Sequence, residues 1–216
     1  MYIPPHNAPP SADDVTQLLL ETRAGDLVTV GGDGLTVSMI PFLYDPSLGA
    51  HGSLLGHLAR PNNQWRGADG QDALVLLHGP DGYVSPAWYA AKREHGRVVP
   101  TWNYVLVALH GTLRVHDDPE WVRDIVERLT RAHEEGRAEP WAVSDAPEPY
   151  IAGQLRAIVG VEVEIVRVEA KWKLSQNRSA ADVAGVVAGL ETGTDDDRTL
   201  GAAMAVVEAR RPDRDR

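Results

Sequence analysis

Apolar positions along the chain recur at two spacings, and the switches between them divide it into strands and helices. Residues 12–24 begin at a Ser11/Asp14 pair spaced as a capping box and carry Val15, Leu18, Leu19 and Thr22 on one face. They predict a helix with Gly25 as the residue just past its end. Residues 26–30 read as a strand, Gly31-Gly32-Asp33-Gly34 as a tight hairpin, and residues 35–44 as the return strand. On that return strand Leu35, Val37 and Met39 face one way, and Thr36, Ser38, Ile40 and Phe42 the other. Pro41 lacks an N–H, which places it at an edge or near the strand's end. After a turn at residues 45–49, residues 52–60 form an apolar run that breaks at Pro61, and residues 62–65 a short helical turn.

Residues 73–78 are almost continuously apolar, as in a buried strand. Gly79-Pro80-Asp81-Gly82 predicts a turn into residues 83–85, and residues 86–96 a loop or short helix. Residues 98–104 lead into a long strand ending near residue 116. Pro119 opens a helix whose stripe is Trp121, Ile125 and Leu129, flanked by Val122 and Val126, with charges opposite. The acidic residues 134–149 carry three prolines and read as a surface loop, and residues 150–159 as a short helix. Residues 160–174 alternate, but the apolar set moves from odd positions (Val161, Val163, Ile165) to even ones (Val166, Val168, Ala170, Trp172, Leu174). That change of phase predicts a β-bulge near residues 165–166. Residues 179–191 form an Ala/Val-rich helix, residues 194–197 cap a last helix over 198–209, and residues 210–216 read as a disordered charged tail. Tight turns dominate and no β-α-β alternation occurs, so a mainly β fold with α (α+β) is expected, a small antiparallel barrel with peripheral helices.

Composition narrows the chemistry. The chain has 216 residues, 43% hydrophobic and 24% charged, which suits a globular protein. It has no cysteine, so thiolate metal sites, disulfides and a cysteine nucleophile are excluded. The first 14 residues lack the basic and apolar regions of a signal peptide, and no apolar run is long enough to span a bilayer. A cytoplasmic, membrane-free protein is expected. The formal net charge of −10 makes direct nucleic-acid binding doubtful. Between His57 and Arg114, however, Arg60, Arg66, Lys92, Arg93, Arg97 and Arg114 outnumber Asp69, Asp72, Asp81 and Glu94. A local anion site fits that distribution better than a nucleic-acid surface.

Several motifs could build one. At the break near Pro61, Arg60 offers a planar fork of donors that matches phosphate, with His57, Asn62 and Asn63 beside it; a surface Arg at a strand end is the ordinary alternative. Trp102, Asn103 and Tyr104 follow the rigid Pro100 and could wall a planar ring, or serve as core or dimer-interface residues. Lys171 and Lys173 end the last strand on one face, as phosphate ligands or as solvated lysines. Ser85 lacks a Gly-x-Ser-x-Gly elbow, the eight histidines show no metal-ligand spacing, and no Walker loop or Gly-x-Gly-x-x-Gly occurs.

Five stretches are similar in order and spacing to one family. They are Met1-Tyr2-Ile3-Pro4, the run Gly56-His57-Leu58-Ala59-Arg60-Pro61-Asn62-Asn63-Gln64-Trp65, the run from Gly79 to Tyr89, Val99-Pro100-Thr101-Trp102-Asn103-Tyr104, and Lys171-Trp172-Lys173-Leu174-Ser175-Gln176-Asn177. Together they resemble the PaiB-type FMN-binding negative transcriptional regulators of bacteria over residues 1–190, leaving residues 191–216 outside as a C-terminal helix and tail. The resemblance implies a six-stranded antiparallel split β-barrel of the FMN-binding type, related to pyridoxamine-phosphate oxidases and flavin reductases. It implies a homodimer with FMN at the subunit interface. Arg60 matches the family's phosphate-binding residue, with His57, Leu58, Ala59 and Asn62 beside it. Ser38, Met39 and Ile40 would line the isoalloxazine through backbone groups. Trp102, Asn103 and Tyr104 would close the site from the other subunit, with Lys173 a further ligand. Pro61-Asn62-Asn63 departs from the family's usual small residue and Asn-Pro. No helix-turn-helix with a basic recognition helix is present, so repression would act indirectly or through a partner. The alternatives are a flavin-dependent oxidoreductase using the same pocket and a cofactor-free dimeric interaction protein.

Overall fold

The computed structural model describes residues 1–21, 24–32 and 34–211. The order of elements is α1 (Ala12–Leu20), β1 (Ala24–Gly31), β2 (Gly34–Pro41), β3 (Leu43–Asp45), β4 (Ser53–Ala59), β5 (Asp72–Val84), α2 (Ala91–Glu94), β6 (Thr101–His116), α3 (Pro119–Glu134), α4 (Glu148–Leu155), β7 (Ile158–Lys173), α5 (Ala180–Glu191) and α6 (Asp195–Ala209). The protein is α+β, with one antiparallel sheet in the strand order β2-β1-β5-β6-β7-β4-β3. Among the described residues there are thus seven strands in place of the expected six. The return strand divides at the buried Phe42 into β2 and β3, and β3 pairs with β4 (Leu43 opposite Leu55) rather than with β1.

Two compact units share the long strands. The first comprises Met1–Val15, His78–Val107 and Ala170–Arg216; the second comprises Thr16–Leu77 and Ala108–Glu169.

In the second unit, β1 and β2 pair from Ala24/Pro41 to Gly31/Gly34, and the left-handed Gly34 (φ +100°) turns the hairpin. Asp33 of the expected turn, and Thr22 of the expected first helix, lie outside the described residues. Gly25 does not cap α1. It lies in β1 opposite Ile40, where a Cβ would come within 2.5 Å of Leu77, so its lack of a side chain serves strand packing. The predicted stripe of α3 is buried at Ile125 and Leu129, which pack on Leu55 with Leu43 and Trp121 around them. Burial of each such side chain stabilises by about 1.5–3 kcal/mol. Asp118 caps α3 by accepting from the Glu120 and Trp121 N–H groups.

Asp45 ends β3 and ties it to α3. Its carboxylate accepts from the Ser47 N–H (3.0 Å), the Ser47 hydroxyl (2.6 Å) and Arg128 Nη2 (2.6 Å). Ser47 first, and then Arg128, hold this carboxyl below its ordinary value. A depressed folded-state value means stability that is present above the unfolded value and lost as pH falls through the folded one. Asp45→Asn is therefore expected to lower the melting temperature at pH 7, and the difference from wild type should shrink below about pH 4. A deficit of the same size at pH 3 and pH 7 would show that ionisation is not the cause.

In the first unit, α5 and α6 pack together through Val183, Val186, Leu190, Leu200 and Met204, all buried. The expected cap of the last helix is formed by Thr194, with α6 starting at Asp195 rather than 198, and it is reciprocal: the Asp197 carboxylate lies 2.9 Å from the Thr194 N–H and the Thr194 hydroxyl 3.2 Å from the Asp197 N–H. The last described residue is Arg211, so the rest of the expected tail lies outside the described residues.

The predicted turn at residues 79–82 is not formed; these residues continue β5. Their glycines answer to packing instead, because a Cβ at Gly79 would lie 2.7 Å from Val105 and one at Gly82 would lie 3.0 Å from Leu200. In β7 the change of phase is present. Val159, Val161, Val163 and Ile165 are buried, residues 166–168 are exposed, and Ala170, Trp172 and Leu174 are buried.

Candidate functional site

The predicted site residues fall into two groups, one in each compact unit. The group in the second unit is built on β2 and β4. β2 is an edge strand, so its outer backbone groups have no strand partner among the described residues. Leu35, Val37 and Met39 point outward from it and are 78%, 62% and 74% exposed. Ser38 and Ile40 lie on the opposite face, with Ile40 buried. β4 follows closely: a Cβ at Gly56 would lie 2.9 Å from the Pro41 carbonyl oxygen and 3.3 Å from Ile40. His57, the next residue, is half-buried, and burial holds its imidazole below the ordinary value, so it is neutral at pH 7. Leu58 is buried and Ala59 exposed at the end of the strand.

The loop after β4 is tied back to β2. Asn62 Nδ2 donates to Ser38 Oγ at 2.9 Å, and Asn62 Oδ1 accepts from the Gln64 N–H at 2.9 Å. Gln64 Nε2 in turn donates to the Leu27 and Thr36 carbonyls. Ser38 and Asn62, both site residues implied by the resemblance, are thereby in direct contact.

Arg60 is more committed than its motif suggested. Nη1 and Nη2 grip the two Asp117 oxygens at 3.1 and 2.5 Å, Nε donates to the Arg156 carbonyl at 2.8 Å, and Nη2 to the Ile158 carbonyl at 3.0 Å. Arg60 and Asp117 stabilise each other's charged forms, which raises the Arg60 value and lowers that of Asp117. Both line a cavity of about 490 Å³, walled also by Val122, Arg123, Leu155 and Arg156.

The group in the first unit is built on β6 and β7. Trp102 is half exposed and donates Nε1 to Asp81 at 2.8 Å. Asn103 is buried; its Nδ2 donates to Ser175 Oγ at 3.0 Å and approaches Met204 Sδ at 3.4 Å. The Tyr104 ring has Lys171 at 5.4 Å and Lys173 at 5.7 Å from its centroid. Lys171 donates to the Tyr2 carbonyl at 3.0 Å, and Lys173 to Thr101 Oγ1 at 2.7 Å and to the Trp102 carbonyl. Burial is the chief cause that lowers the Lys173 value; Tyr104 opposes it, and the charge of Lys171 adds to it. Both lysines are thus built into the fold rather than solvated at a strand end.

Around Lys173 the structure gathers residues that motif reading did not single out as ligands: His6, Tyr89, Ser175, Asn177 and Arg178. Tyr89, Ser175 and Asn177 lie inside two of the five motifs, which was their one visible signal. His6 and Arg178 are brought there by the fold alone.

An isoalloxazine needs a flat apolar contact and peptide groups for its polar rim, and the free edge of β2 with Val37 and Met39 offers both. Anionic ends need cations, and Arg60, with four of its five N–H groups already engaged, keeps one free for a new acceptor. The residues present therefore fit a flavin nucleotide. Comparison with known proteins agrees. Residues 1–167 match the family model described as "Putative FMN-binding domain". Over 192 residues the chain is 29% identical to the "Protease synthase and sporulation protein PAI 2" of Bacillus subtilis, covering 88% of this chain and 89% of that one. It is 31% identical to an uncharacterized protein of Emericella nidulans, covering 90% of this chain and 92% of that one. Among solved structures, the FAD and heme binding protein from Mycobacterium smegmatis superposes with a TM-score of 0.56 at 19% identity, covering 84% of this chain and 79% of that one, which shows a shared fold. A model matched over most of the chain is decisive, and this protein belongs to the FMN-binding domain family.

Proposed function

We propose that the chain is an FMN-binding split-barrel protein of the cytoplasm. It works as a homodimer and lowers transcription indirectly or through a partner, as the PaiB-type regulators it resembles are named for doing. The observation that carries the flavin reading is the edge strand β2, with an apolar outer face and Ser38 fixed by Asn62. Support for a split barrel comes from the two edge strands of the sheet, β2 and β3, which follow one another with only Phe42 between them.

In this reading Ser38, Met39 and Ile40 meet the ring through their backbone. His57, Leu58, Ala59 and Asn62 shape the adjoining wall, and Arg60 meets the phosphate. Trp102, Asn103, Tyr104 and Lys173 belong to the site from the partner subunit. Bound FMN supplies redox chemistry; the protein supplies grip and orientation. The net charge of −10 disfavours direct contact with DNA.

Recording the absorbance of purified protein with and without FMN, and then adding NADH or NADPH in air, tests this reading. A flavin spectrum that stays oxidised supports a binding protein with little turnover. Steady loss of reduced nicotinamide would favour an oxidoreductase, and failure of saturating FMN to bind would remove the cofactor.

The dimer is supported by the exposed apolar row Val30, Leu35, Val37 and Met39 in the β1–β2 hairpin. Val37→Lys should convert the dimer to monomer in sedimentation velocity. An unchanged dimer would place the interface elsewhere.

A further inference from the structure

The cavity beside Lys173 holds a second kind of site. It measures about 160 Å³ and is lined by His6, Tyr89, Thr101, Lys173, Ser175 and Arg178 among others. Ligand pockets for drug-sized molecules run from about 300 Å³ upward, so a flavin ring system is too large for it. The full lining contains no Asp or Glu. Cations near it have no neutralising partner: Arg178 lies over the Tyr89 ring, 4.8 Å from its centroid, and makes no ion pair among the described residues. Lys173 spends two donors on Thr101 and Trp102, which leaves one.

One further feature sets this cavity apart. Ser175 is the one non-glycine residue among the described residues with a left-handed backbone (φ +68°), and its hydroxyl is held against Asn103 at 3.0 Å. Strained backbone of this kind persists where the surroundings fix it, and it clusters at ligand sites.

We propose that this cavity binds a phosphate-sized oxyanion, with Arg178 and Lys173 supplying charge. The inference goes beyond flavin binding, since Arg60 meets the flavin phosphate in the reading above and does not line this cavity. Asn103 and Lys173 are common to both readings, so the test keeps the two ligands apart.

Inorganic phosphate is titrated by calorimetry into the full-length wild type and Arg178→Gln, and FMN and riboflavin are titrated into both with and without phosphate. Wild type is expected to bind phosphate in the millimolar range or tighter. Arg178→Gln should weaken phosphate by about tenfold or more and leave FMN affinity in phosphate-free buffer unchanged. Because Lys173 serves both readings, any effect of phosphate on FMN should be matched on riboflavin. The proposal is overturned if wild type binds no phosphate, or if Arg178→Gln binds it as well as wild type does. It is also overturned if phosphate displaces FMN but not riboflavin, since the cavity would then be the flavin's own phosphate subsite.

Discussion

Replacing Arg60 with Ala is expected to weaken FMN by about ten- to a hundredfold while leaving riboflavin within a factor of about two. The size follows from a charge-assisted hydrogen bond of about 1.5–3 kcal/mol, at about 1.4 kcal/mol per tenfold. Riboflavin lacks the phosphate and reports on the rest of the site, so it also guards against a general loss of fold. Asp117 makes the test sharper. It occupies two of the Arg60 donors, at 3.1 and 2.5 Å, so phosphate and carboxylate compete for one guanidinium. Asp117→Asn should therefore tighten FMN and leave riboflavin unchanged. Equal weakening of both flavins by Arg60→Ala would assign Arg60 to the fold alone, through its bonds to the Arg156 and Ile158 carbonyls.

The largest effect on stability is expected at Gly111, in β6. A Cβ there would lie 2.4 Å from the Glu164 carbonyl oxygen, 2.7 Å from Val163 Cγ1 and 3.0 Å from the Glu164 carbonyl carbon. Two of these three are backbone atoms of β7, which cannot turn aside as a side chain can. Gly111→Val must push the strands apart, and a loss of about 3 kcal/mol or more is expected, the upper end of overpacking. For a chain of this size that is a fall of roughly 6–12 °C in melting temperature. Gly153→Ala is the contrasting change. Only Arg156 Nη2 lies near its Cβ, at 3.9 Å, and the position is inside α4. It should raise stability by about 0.4–1 kcal/mol. A Gly111→Val protein that melts with wild type would refute the close approach of β6 to β7.

What could be read from the chain beforehand was local. The α3 stripe, the Ser11/Asp14 and Thr194/Asp197 caps and the change of phase in β7 rest on neighbours within a few residues, and each is present. Glycine carries two meanings in this chain. Gly79, Gly82 and Gly25 have the composition of turns and caps, yet each lies in a strand where Val105, Leu200 or Leu77 approaches closely. Such an approach depends on residues far along the chain and leaves no local signal. The site shows the same limit. Its motifs were visible, and so was the Ser38 region, but the grip of Asp117 on Arg60 spans 57 residues and emerges only in the fold. The buried Tyr89 hydroxyl and the left-handed Ser175 are also facts of packing and backbone, invisible in a string of residue types.

Flavin binding is tested most directly by a fluorescence titration. FMN is held at a fixed low concentration while the protein is added, and emission and anisotropy are followed. A saturable change in both signals is expected, with a melting temperature that rises with added FMN; at a hundred times Kd the gain is about 2.7 kcal/mol. Emission and anisotropy that stay at the values of free FMN up to high protein concentration, with an unmoved melting temperature, would contradict it.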